Sequence, residues 1–165
     1  MKKVLGISML ILIIFIIAIS LLFAVPSSDE FYTDTVINSV GVVITEDYYQ
    51  YGWWQDYTIY AKYTFEKPNI ESNEYLKQMN EGDVEDFKYY LTCYDEWIDV
   101  ISDDWNDRDL VRNYDFDKSI ISTKDYCYID DYTLVDPNFE MKPDSYNLYF
   151  YDSETETLYY FHTNI

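Results

Sequence analysis

The chain has 165 residues, with 31 Asp and Glu against 11 Lys and Arg for a formal charge of −20, and its 20 Tyr, 9 Phe and 4 Trp make it 20% aromatic. A chain this acidic, with no basic stripe, is repelled by phosphate backbones, which argues against nucleic acid as a partner. The rings supply enough apolar area that acidity alone does not imply disorder.

From Val4 to Val25 the chain runs for 22 residues without a charge, and 16 of these are Val, Ile, Leu or Phe. Their summed insertion preference is roughly −5 to −10 kcal/mol, and as a helix the run spans about 33 Å, enough for a hydrocarbon core of about 30 Å. A cleaved secretory signal is the alternative, and cleavage would make the domain a secreted one. Its small-x-small site fits poorly, because Ala18-Ile19-Ser20 lies inside the run and Leu22-Phe23-Ala24 begins on a large residue. Lys2 and Lys3 precede the run and no further basic residue occurs before Lys62, so the N-terminus is expected in the cytoplasm and the rest outside. Residues 1–25 thus read as a membrane anchor or uncleaved signal, and 26–34 as a polar tether. Residues 35–165 read as an acidic, aromatic-rich extracytoplasmic domain. Residues 26–165 hold all 31 acids but only 9 of the 11 basic residues, a net of −22.

Within the domain, residues 37–46 are β-rich, and 57–66 alternate Tyr57, Ile59, Ala61, Tyr63 and Phe65 with more polar residues. A hairpin is expected there, with residues 47–56 connecting the strands and Gly52 at the turn. Residues 71–80 read as a short helix with Tyr75, Leu76 and Met79 as its stripe and Gly82 as its stop. Residues 84–94 return to period two through Phe87, Tyr89, Leu91 and Cys93. Asp95 can cap a second helix carrying Trp97, Ile98, Ile101 and Trp105. Ile120-Ile121 and residues 126–129 suggest a strand pair, and Pro137 and Pro143 mark a loop. Residues 146–151, a turn at 152–156 and residues 157–162 form a second hairpin with aromatic cross-strand pairs. The predicted fold is α+β: an N-terminal transmembrane helix, then one mostly antiparallel sheet of about six strands covered by two short helices.

Few residues carry recognisable chemistry. Cys93 and Cys127 are the only cysteines. In an oxidising compartment they could form a disulfide worth about 3–4 kcal/mol in the chain-entropy model, or stay apart as small apolar fillers. His162 is the only histidine, expected on an edge strand, and no Gly-x-Ser-x-Gly accompanies it. Residues 104–109 resemble an acidic ion loop, but Arg108 and Asp109 occupy the places where an EF-hand needs an acid or amide and a glycine. No catalytic residue, cofactor site or metal site is therefore assigned. The aromatic stretch holding Tyr48, Tyr49, Tyr51, Trp53 and Trp54 is the candidate ligand platform, against the alternative that these rings simply pack into the sheet. The expected function is a non-enzymatic binding module for a basic protein or peptide, or a cell-wall polymer. A surface hydrolase using paired carboxylates and an accessory subunit of a membrane complex are the alternatives.

Overall fold

A computed structural model describes residues 34–53, 56–102, 109–133 and 142–164. The chain divides into two compact units, Met1–Thr35 and Val36–Ile165, and every described residue except Asp34 and Thr35 belongs to the second. The run from Val4 to Val25 lies outside the described residues. Among the described residues no helix is long and apolar enough to cross a membrane.

The second unit is α+β. Helix α1 (Asp34–Val40) leads into β1 (Val43–Trp53), β2 (Asp56–Phe65) and the two-residue β3 (Lys77–Gln78). Helix α2 (Glu81–Ser102) and the short α3 (Asp109–Asn113) follow, then a 3-10 turn (Lys118–Ile120) and strands β4 (Tyr126–Asp131), β5 (Ser145–Asp152) and β6 (Thr157–Asn164). The strands form one antiparallel six-stranded sheet in the order β1-β2-β6-β5-β4-β3. The last strand in sequence is thereby central in space, inserted between β2 and β5.

Alternation along the strands makes two cores. On one face Tyr60, Leu148, Phe150 and Phe161 meet Phe87, Leu91, Tyr94, Ile98 and Ile101 of α2. The Tyr94 hydroxyl donates to the Ile59 carbonyl at 2.6 Å, tying helix to sheet. On the other face Ile59, Tyr63, Tyr149, Leu158 and Tyr160 pack with Val36, Ile37 and Val40 of α1 and with Ile70 and Leu76. Tyr60 and Lys62 also reach one carboxylate, Asp115, at 2.7 and 2.8 Å, which pins the segment after α3 across β2.

Several sequence expectations are corrected. Residues 37–40 are helical, because Val36, Ile37 and Val40 recur at helical spacing and all three are buried. Residues 47–53 extend β1 rather than looping out. Residues 71–80 form loop and β3, with the Asn73 side chain accepting from the Tyr75 and Leu76 amides at 2.8 and 2.9 Å in place of helical bonds. The predicted strand over 84–94 is the first half of α2. There Asn80 caps the Gly82 and Asp83 amides while Asp83 accepts from the Asn80 amide, a reciprocal capping box that starts the helix at the expected stop signal. Tyr89 decides the matter: it shares the two-residue phase of the buried Phe87 and Leu91 yet stands 51% exposed. One 22-residue helix on one face, with α1 on the other, therefore replaces two short helices on a single face. Ile120 ends the 3-10 turn, which Asp117 caps.

Candidate functional site

A concavity among the described residues follows from the β1–β2 hairpin and the length of α2. Gly52 sits at φ +86°, and a Cβ there would collide with the Asp56 carbonyl oxygen, so only glycine lets β1 and β2 stay paired to Trp53 and Asp56. This close approach carries Tyr51 and Tyr57 beside the last turns of α2. A groove of about 170 Å³ results, with Tyr51, Tyr57 and Thr58 on the sheet side and Trp97, Val100 and Ile101 on the helix side. Asp56 stands at its rim, and Val100 is 60% exposed. The walls are almost wholly apolar, and Trp97 and Val100 offer surface that a ligand can cover.

The electrostatics are one-sided. The last turn of α2 holds no basic residue, although a helix C-terminus carries negative partial charge. Asp95 and Glu96 are paired with Lys118 and Lys142, while Asp56, which lines the groove, is exposed. An apolar group with a cation beside it fits both features.

Behind Tyr57 lies a buried polar cluster. The Tyr57 ring packs against His162 with centroids 4.4 Å apart. His162 Nδ1 lies 2.8 Å from Asn147 Oδ1 and 3.2 Å from the Tyr132 hydroxyl, and Asn147 Oδ1 also accepts the Tyr160 hydroxyl at 2.9 Å. Because Asn147 Oδ1 can only accept, the proton sits on Nδ1, which leaves the Nε2 lone pair buried with no hydrogen-bond partner. Burial holds the imidazole down at a pKa of about 4, so the ring is neutral. The sequence placed this histidine on an edge strand. It is 2% exposed instead, because β6 is flanked on both sides.

A second depression, about 740 Å³ and broad, lies among Asn69, Glu71, Lys124, Tyr126, Tyr151 and Glu156. Its inner ring, Tyr151, is only 4% exposed and offers no stacking face.

The sequence-derived platform is dispersed. Tyr48 packs with the α1-side core, while Tyr49 and Tyr51 pack with the α2-side core. Only Tyr51 of these lines the groove. Trp53 ends β1, and Trp54 lies outside the described residues. Cys93 and Cys127, the possible disulfide pair, are both free thiols in this structure. Cys127 pairs in register with Phe150, whereas Cys93 lies by Tyr89 and Tyr146. Burial pushes the Cys127 thiol up to about 12, so it is protonated and unreactive near neutrality.

Trp97, Val100 and Asp56 were not anticipated as site residues. A signal for the first two exists in the sequence. Measured against the stripe of Phe87, Leu91, Tyr94 and Ile98, both fall off the buried side of a 3.6-residue period, and apolar residues off the stripe are what a binding surface looks like. No family profile, curated protein or solved structure matches the chain.

Proposed function

We propose that the protein is a binding module held at the outer surface of a membrane by the run from Val4 to Val25, with Lys2 and Lys3 keeping the N-terminus cytoplasmic. Its ligand is a basic peptide, or an extended basic face of a protein, that presents one apolar side chain. The observation that carries this reading is the groove of Tyr51, Tyr57, Trp97 and Val100, apolar within and acidic at the rim. Burying one Leu-sized side chain there contributes about 1.5–3 kcal/mol. A cation near the C-terminus of α2 adds about 0.3–1 kcal/mol, a contribution that salt screens. Almost wholly apolar walls suit an apolar side chain of a peptide better than the hydroxyl-rich surface of a sugar polymer. His162, the one histidine, is buried and neutral and is not offered as a general base.

The test uses the full-length chain in zwitterionic micelles and a fluorescent dodecapeptide alternating lysine with valine, followed by anisotropy. Saturable binding is expected that weakens with salt and falls about tenfold in Trp97→Ala, equivalent to about 1.4 kcal/mol. Equal affinity in wild type and Trp97→Ala removes the groove as the site.

A further inference from the structure

We propose that the ligand engages the chain as an added β-strand along β1, and that it is an extended cationic segment rather than a second copy of this chain. The proposal rests on the peptide-binding reading above and names how that peptide is held.

The two edges of the sheet differ in kind. β3, at one edge, is two residues long and contains Lys77, which leaves little backbone to pair. Short edges and edge lysines are the usual protections against strand addition. β1, at the other edge, is 11 residues long and contains neither Lys, Arg nor Pro. Its pairing with β2 is continuous from Thr45 to Trp53, and the one irregularity lies between Val43 and Thr45. Val42 and Ile44 are 72% and 62% exposed, and Thr45, Glu46 and Asp47 are exposed with them. A partner strand on the outer side of β1 can therefore be reached by main-chain hydrogen bonds, with side-chain specificity set at alternate positions.

Charge selects the occupant. Glu46 and Asp47 lie on the edge, Asp56 at its far end, and the chain as a whole carries −20. Two copies of a chain that carries −20 repel one another as they approach, which disfavours pairing through β1. A segment alternating Lys or Arg with aliphatic residues sets its cations on the Glu46 face of the ladder, since Glu46 and its neighbour Asp47 point to opposite faces. It also brings one aliphatic residue to Tyr51, where the groove opens. The lack of Lys, Arg and Pro on β1 and the acidity beside it then describe one ligand.

The phase of the backbone provides the test. In a strand, alternate amides point to opposite edges, so only half of a bound peptide's amides face β1. The lysine–valine dodecapeptide is made in two further versions, N-methylated on all its lysines or on all its valines, and titrated into the full-length chain in micelles. One version is expected to bind about tenfold more weakly and the other within about twofold of the parent, with slowed amide exchange over residues 45–53 in the complex. Equal affinity of the two methylated versions, or exchange protection that avoids β1, overturns strand addition. If Trp97→Ala still weakens binding in that case, the groove reading stands alone; if it does not, both readings fall. A peptide-free dimer with β1 protected would assign the edge to a second copy and overturn the choice of occupant.

Discussion

Strands β5 and β1 are made of similar residues and meet opposite fates. β5, Ser-Tyr-Asn-Leu-Tyr-Phe-Tyr-Asp, is buried at all eight positions. β1 carries Tyr48, Tyr49, Tyr51 and Trp53, yet its three described rings are only half-buried. The difference lies in neighbours. β5 is flanked by β4 and β6 and covered on both faces, by α2 on one side and by the α1-side core on the other. β1 has β2 alone. In a chain where 20% of residues are aromatic, ring density does not mark a binding surface; place in the strand order does.

The comparison is most exposed to failure in the core. Phe161 is fully buried and packs edge-on or tilted against Tyr60, Tyr94, Tyr114 and Phe116 at 5.0–6.5 Å. Phe161→Ala is expected to cost about 4 kcal/mol in urea unfolding, from lost transfer energy plus the cavity left behind. Tyr49→Ala on β1, which removes one stacked contact with Tyr60 at 6.5 Å, is expected to cost about 1 kcal/mol. Similar costs for the two would show that β1 is as much a core strand as β6.

The next effect tests the central strands by pH. His162 has a pKa of about 4 in the folded chain against 6.5 when free, so between those values the unfolded state binds a proton that the native state excludes. Stability is then complete above pH 6.5 and falls as pH drops toward 4, by about 3 kcal/mol over the window. The cause is desolvation, since the ring lies among Tyr57, Tyr132, Tyr160 and Asn147 with no acid in hydrogen-bond contact. Denaturant melts of wild type and His162→Gln across pH 4–7 check it. The variant should lose that slope and keep the carboxylate limb at lower pH, to which Asp115 and Asp131 contribute. Burial pushes both of these carboxyls up, but hydrogen bonds from Lys62 and Tyr60 to Asp115, and from Tyr90 to Asp131, leave both below the usual range.

These two cases also mark what the sequence could and could not disclose. The α+β class and the hairpin of β5 and β6 were legible, because two aromatic-rich runs joined by the polar stretch Asp152–Glu156 leave few other solutions. The helix α2 was not. Tyr90 and Tyr94 add to Phe87, Leu91 and Cys93, so the apolar spacing fits periods of 2 and 3.6 equally, and only the capping box of Asn80 and Asp83 separates them. The position of His162 was illegible for a different reason. Strand order is a long-range property, and nothing local in residues 157–164 says that β2 will lie on their other side. The groove was half visible, through Tyr51 and the off-stripe Trp97, but their meeting depends on the length of α2.

A smaller effect separates interior from edge hydroxyls. The Tyr94 hydroxyl bonds the Ile59 carbonyl at 2.6 Å in a fully buried place. Tyr94→Phe should cost about 1 kcal/mol. Tyr90 donates to Asp131 near solvent, and water can replace that bond, so Tyr90→Phe should cost less than half as much. Thermal melts of the two variants measure the difference, and a reversed order would contradict the placement of α2.

The smallest effect on folding should be the largest on recognition. Ile44 sits at the irregularity of β1, 62% exposed, where its side chain contributes little to either core. Ile44→Lys should therefore leave stability within about 0.5 kcal/mol of wild type. The same substitution places on the edge the residue type that natural sheets use to block strand addition, and adds a cation where the proposed ligand brings its own. Affinity for the lysine–valine peptide is expected to fall about tenfold, measured by anisotropy, with the melt unchanged. A variant that binds as well as wild type would mean that the long bare edge is not where the ligand lies. In that event the contrast between β1 and β5 would concern packing alone.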